Sequence, residues 1–149
     1  MAILSDQVRQ ELRDRFAETL RDPVELVLYT RPGTGRLILP TGFGCATCDD
    51  ARGIAEELAA AAPDLVKLEV VDVTVRESPV EDVPTLTLGR PGEEARISWQ
   101  GLPAGFEFAT VVDAIERASS GDLGLSEETT EALERVADPV EVMVFATPT

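Results

Sequence analysis

Gly44-Cys45-Ala46-Thr47-Cys48-Asp49-Asp50 holds both cysteines of the 149-residue chain, spaced C-x-x-C, and a helical pattern begins at once behind them. Ile54, Ala55, Leu58 and Ala62 recur at helical spacing, so Cys45 is expected to open a helix running to about Ala62, weakened by Gly53 and ended by Pro63. An apolar strand lies on either side. Before the cysteines, Val24 to Thr30 (VELVLYT) puts Val24, Leu26 and Leu28 on one side and Val27 and Tyr29 on the other, so both faces are expected to be largely buried. After the helix, Leu65 to Val73 alternates Val66, Leu68 and Val70 against Val71 and Val73. Strand, helix and strand in that order imply a right-handed crossover and a parallel pair.

Further out, Ser5 caps an expected helix from Asp6 to Arg21 whose Val8, Leu12, Phe16 and Leu20 form one apolar face, stopped by Pro23. Residues Arg31 to Gly44 read as a loop from their Pro and Gly content, with Leu37-Ile38-Leu39 extending a strand or packing over the cysteines. Thr74 to Val83 is short and irregular. Pro84 precedes a third strand, Thr85 to Leu88, and the turn Arg90-Pro91-Gly92-Glu93 leads to a fourth, Ala95 to Gln100, as an antiparallel hairpin. A helix from Phe106 to Ser119 offers Phe108, Val111, Val112 and Ile115 to a core. After the break at Ser120-Gly121-Asp122-Leu123-Gly124, Ser126 caps a helix to about Val136, and Val140 to Ala146 reads as a last strand. The expectation is an α/β fold with a central four-stranded mixed sheet flanked by helices, an N-terminal helix and a C-terminal helix–strand extension.

Asp22-Pro23-Val24-Glu25-Leu26-Val27-Leu28-Tyr29 is echoed by Asp138-Pro139-Val140-Glu141-Val142-Met143-Val144-Phe145, each after a capped helix that begins Leu-Ser (Leu4-Ser5 and Leu125-Ser126). The repeat divides the chain into a complete unit, 1–121, and the opening of a second, 122–149, cut short where its own cysteines would follow. The strand Val140–Ala146 is therefore expected to seek an edge of the first sheet or of another molecule, a route to self-association.

A formal net charge of -15 and a single lysine, Lys67, exclude ordinary nucleic-acid and anionic-membrane partners. No apolar run approaches the ~20 residues of a membrane span. The charged N-terminus lacks the apolar core of a signal peptide, which points to the cytoplasm. There a C-x-x-C more often signals redox or metal chemistry than a structural staple. The chain has no histidine, which removes His-activated nucleophiles and His-based metal sites. Three readings of the cysteines stand: an exchanging dithiol, a half zinc site completed by carboxylates or a second copy, and an inert structural pair.

The exchanging dithiol has a physical logic. Free backbone N–H groups and the helix dipole favour a thiolate on Cys45, moving its pKa from ~8.5 toward ~7. Cys48, one turn on, is placed to resolve a mixed disulfide that Cys45 has formed. Asp49 and Asp50 oppose the thiolate, and Ala46 and Thr47 add no cation, so a moderate pKa is expected. No metal and no cofactor beyond the redox-active Cys45–Cys48 disulfide is called for.

The order β-α-β, then Val83-Pro84-Thr85, a hairpin and a final helix resembles the thioredoxin superfamily. Gly101-Leu102-Pro103-Ala104-Gly105-Phe106-Glu107-Phe108, Ser119-Ser120-Gly121, Leu125-Ser126-Glu127-Glu128-Thr129 and Val144-Phe145-Ala146-Thr147-Pro148-Thr149 are similar to the glutaredoxin-like protein disulfide oxidoreductases, which fuse two such units. The resemblance implies thiol–disulfide exchange with protein thiols and disulfides, with Cys45 as nucleophile, Cys48 as resolving thiol and a thioredoxin-reductase-like electron donor. It also implies a cis bond at Pro84, which would set the Val83 and Thr85 backbone, with Ala46 and Thr47, beside an extended substrate. Four features depart from that family: the long 31–44 approach, the short 73–84 connection, the Ala-Thr dipeptide and, above all, the missing second unit. A non-catalytic binding or assembly module is the competing expectation.

Overall fold

Strand β1 (Val24–Thr30) is the centre of the packing: Val24, Leu26, Leu28 and Thr30 are all at most 1% exposed, while the residues between them are half-buried. The computed structural model describes residues 3–33 and 44–146. On one side β1 pairs in parallel with β2 (Val66–Asp72), in register from Val24 against Val66 to Thr30 against Asp72. On the other it pairs antiparallel with β3 (Thr85–Gly89), which pairs antiparallel with β4 (Ile97–Gln100). The sheet order is β2-β1-β3-β4.

Period-two alternation puts Leu26, Leu28, Val66, Leu86 and Leu88 on one face, and the helices all pack there. They are α1 (Asp6–Thr19), α2 (Cys48–Ala61) and α3 (Phe106–Ser120), which contribute Leu12 and Phe16, Ile54 and Leu58, and Val111 and Ile115 to the same core. Each such large apolar side chain removed from water contributes ~1.5–3 kcal/mol. The expectation that β1 is buried on both faces is corrected. The opposite face carries Glu25, Lys67, Glu69, Thr87 and Ser98 around half-buried Val27 and Tyr29, as a mixed sheet with one wet face allows.

Most expected boundaries shift by a residue or two. Helix α1 ends at Thr19 rather than Arg21, because the chain turns extended at Leu20, whose N–H still bonds the Phe16 carbonyl. Its N-cap is Ser5, accepting the Val8 N–H. Ser119, fully buried on α3, ties down the turn between α1 and β1: its hydroxyl accepts the Arg21 N–H at 2.8 Å and donates to the Asp22 carbonyl at 2.6 Å. The Arg15 guanidinium adds a clasp from α1 to Glu116 and Asp113 of α3. Glu116 chiefly, then Asp113, holds that guanidinium above its ordinary pKa against the opposing effect of burial.

Residues 73–84 form turns and no helix. This connection lies over the otherwise open face at one end of the sheet, where Val71 and Thr85 are buried and Thr85 donates its hydroxyl proton to the Asp82 carbonyl at 2.8 Å.

Beyond Gly121, helix α4 (Glu127–Glu134) is capped by Ser126 as expected. The expected strand Val140–Ala146 is not formed, which corrects half of the helix–strand extension. A strand exists by its ladder, and this segment has none among the described residues; Val140, Val142, Val144 and Phe145 are 72–89% exposed. The expected packing of Leu37-Ile38-Leu39 lies outside the described residues. Among those described, no helix is long and apolar enough to cross a membrane.

Candidate active site at the carboxyl end of β1

Because β1 and β2 run parallel and β3 and β4 alternate, one end of the sheet collects the exits of β1, β2 and β4 and the entry to β3. The α2 N-terminus is delivered to the same end. Cys45 and Cys48 meet there as a disulfide, with S–S 2.06 Å and Cα atoms 5.5 Å apart.

Cys45 does not open the helix, as the sequence led one to expect. The helix starts at Cys48, with Thr47 at the N-cap position but making no side-chain cap hydrogen bond, and Cys45 stands before it. Cys48 is 1% exposed and belongs to the buried face of α2 with Ala51, Ile54, Ala55 and Leu58. Cys45 is 6% exposed, and Ala46 beside it is open to solvent. Cys45 is thus the less enclosed of the two, though both are buried.

The Val83–Pro84 peptide bond is cis. Pro84 is buried, and its carbonyl accepts the Gly101 N–H at 2.8 Å, which ties the entry of β3 to the exit of β4. The Cys45 sulfur lies 3.8 Å from the Val83 carbonyl oxygen. In the dithiol form a Cys45 thiol would donate to that oxygen. The backbone N–H of Val83 has no partner among the described residues. Thr85 is placed differently from expectation. It sits inside the ladder between Tyr29 and Gln100 and is 1% exposed, so the free backbone at this end belongs to Val83.

Gly33 is a site residue that sequence reasoning passed over. A Cβ there would fall 1.9 Å from an Asp49 carboxylate oxygen, so Gly33 itself lies against the Asp49 side chain in the first turn of α2. The only signal was its place in a Pro32-Gly33 turn. Thr30, also unremarked, is fully buried at the end of β1, and its carbonyl accepts the Val73 N–H at 2.9 Å, locking β1 to β2 beside the site.

The pair can cycle between disulfide and dithiol by exchange with an external thiol or disulfide, which gives or takes the two electrons. Reduction yields a rim thiol at Cys45 and a buried one at Cys48, with Asp49 and Asp50 as acidic neighbours. In the disulfide form neither sulfur is a thiolate ligand for a metal. Among the described residues no group of three or more His, Cys, Asp or Glu side chains is arranged to hold one.

No protein-family model matches the chain, and the curated proteins give no match. Solved structures do. A protein disulfide oxidoreductase from Aeropyrum pernix is 32% identical, with a TM-score of 0.69, over 91% of this chain and 56% of that one. The NTD_N/C domain of the alkylhydroperoxide reductase AhpF from Enterococcus faecalis is 18% identical, with a TM-score of 0.66, over 86% of this chain and 58% of that one. The AhpF subunit of the same organism is 19% identical, with a TM-score of 0.69, over 91% of this chain and 61% of that one. The latter two share the fold. The chain spans less than two thirds of the length of each of the three.

Proposed function

We propose that this chain is a member of the thioredoxin superfamily, similar to the protein disulfide oxidoreductases within it, and a thiol–disulfide oxidoreductase acting on protein substrates through Cys45 and Cys48. The observation that carries the reading is the Cys45–Cys48 disulfide lying against the Val83 carbonyl next to a cis-proline. In the reducing direction the Cys45 thiolate attacks one sulfur of a substrate disulfide and the other leaves as a thiolate. The Cys48 thiolate then attacks the Cys45 sulfur, the bound substrate sulfur leaves, and two electrons have passed from the dithiol to the substrate. Val83, Pro84, Ala46 and Thr47 are the substrate-facing residues, with the unpaired Val83 backbone taking an extended peptide as a short added strand. Thr85 serves by fixing Pro84 from inside the sheet.

Protein thiols and disulfides are the partners, and a thioredoxin-reductase-like protein, itself holding a redox dithiol, re-reduces the pair. A cytoplasmic setting suits such a cycle, because the ambient poise keeps the dithiol form supplied. Residues 1–121 are read as one unit and 122–149 as the opening of a similar one, on the repeated strand sequence and on the matching caps, Ser5 to Val8 N–H and Ser126 to Thr129 N–H.

Reduction of insulin in the presence of dithiothreitol tests the activity. The wild-type chain should accelerate precipitation over dithiothreitol alone, and Cys45→Ser should not. A Cys45→Ser protein as active as wild type would leave only a non-catalytic module.

A further inference from the structure

Among the described residues through Gly121, the body hides its large apolar side chains well, with two exceptions. Val75 is 82% and Phe106 84% exposed, whereas the other exposed large apolar residues there, Ile3, Val8 and Ile97, stay at 43% or below. Both exceptions lie where the chain leaves the disulfide end of the sheet. Val75 follows the exit of β2, its N–H bonded to the Asp72 carbonyl. Phe106 is the first residue of α3, five residues beyond Gly101, whose N–H is bonded to Pro84.

Phe106 does not serve the core. The buried face of α3 is Val111, Val112 and Ile115, with Phe108 half-buried beside them, while Ala109, Thr110 and Asp113, which share the side of Phe106 at helical spacing, are exposed. Gly105, at φ +60, makes the turn that starts the helix with Phe106 facing solvent. A phenyl ring so exposed contributes nothing to folding that alanine would not. Its position past the exit of β4, at the end of the sheet that carries the disulfide, gives it a partner.

We infer that Phe106, with Val75 on the opposite flank of the 83–84 segment, is a specificity contact for the substrate polypeptide, and that the preferred substrate carries an aromatic or aliphatic side chain next to its reacting cysteine. The inference rests on the oxidoreductase reading above. An extended chain paired with Val83 projects side chains alternately to its two sides, and in the sheet order Val75 follows β2 on one side of the β3 entry while Phe106 follows β4 on the other. The charges nearby select against the other kind of partner. Asp49, Asp50, Glu77, Glu81 and Asp82 are all exposed at this end, a poor setting for a small anionic disulfide and a tolerant one for an uncharged or basic peptide.

The test uses the full 149-residue chain, reduced beforehand, and two peptide disulfides that differ only in having Phe or Gly next to the cysteine. Second-order rate constants are followed under single-turnover conditions. Wild type should react ~3–10-fold faster with the Phe peptide, the size of one aromatic contact; Phe106→Ala should erase most of that ratio and Phe106→Tyr keep it. A ratio near one in wild type, or one unchanged by Phe106→Ala, overturns the contact while leaving the oxidoreductase reading intact. Failure of wild type to react with either peptide overturns the oxidoreductase reading, and the contact with it.

Discussion

The Cys45 sulfur stands 3.8 Å from the carbonyl oxygen of Val83, a residue 38 positions later in the chain, at the end of the sheet where β1 stops and β3 begins. That contact joins the two parts of the candidate site, and it is made by residues on separate connections. Its upkeep depends on the sheet beneath and on the α2 start beside it.

The first expectation concerns the reduced pair. Cys45 precedes the N-terminus of α2, which favours its thiolate, while Asp49 and Asp50 oppose it. Iodoacetamide alkylation of the reduced protein against pH should show an inflection moderately below that of a free cysteine, and Asp49→Asn should move it lower; an inflection below ~5 in wild type would contradict the balance described.

Ser119 should matter more to stability than its type suggests. It is fully buried and satisfies one donor and one acceptor at the turn between α1 and β1. Ser119→Ala should lose ~1–3 kcal/mol in urea unfolding, the penalty of leaving such groups unpaired. Ser120→Ala, one residue on and exposed, should stay within ~0.5 kcal/mol.

Asp72, at the end of β2, accepts hydrogen bonds from the hydroxyl and the N–H of Thr74, the hydroxyl first in effect, and both hold its carboxyl below the ordinary range. A lowered folded-state pKa means the unfolded chain binds the proton more readily. The stabilisation is then complete above the unfolded value of ~3.9 and fades as pH falls through the lower folded value. The difference in Tm between wild type and Thr74→Ala should accordingly shrink from about pH 5 to about pH 2. A difference that widened toward acid would contradict the assignment.

Deleting residues 122–149 should leave the body folded, because 122–146 are exposed throughout. Far-UV circular dichroism and a melt of the 1–121 fragment should place its stability within ~1 kcal/mol of the full chain. If the exposed Val140–Ala146 segment associates through a sheet edge, light scattering should show the full chain alone growing in mass with concentration.

Much of this fold could be read from periodicity. The bounds of β1 match its alternation because a strand central in a sheet has every other residue forced inward. The covered faces of α1 and α3 followed in the same way from Leu12 and Phe16, and from Val111, Val112 and Ile115. Two errors came from reading local pattern where the answer was tertiary. Val27 and Tyr29 look buried as apolar residues, yet the short 73–84 connection supplies no helix to cover them. Val140–Ala146 has the composition of a strand but no ladder to join. At the site, the C-x-x-C marked the chemistry. The start of α2 at Cys48, the commitment of Thr85 to the ladder and the approach of Gly33 to Asp49 depend on how the chain closes around the disulfide, which four residues of motif do not encode.

Trapping the half-way intermediate tests the central claim most directly. Cys48→Ser, mixed in reduced form with native insulin and analysed by intact mass and peptide mapping, should accumulate a mixed disulfide on Cys45, because the thiol that would release it is gone. Cys45→Ser should accumulate little, its remaining thiol being the 1%-exposed Cys48. Equal trapping through Cys48, or no adduct on Cys45, would contradict a site in which Cys45 attacks and Cys48 resolves.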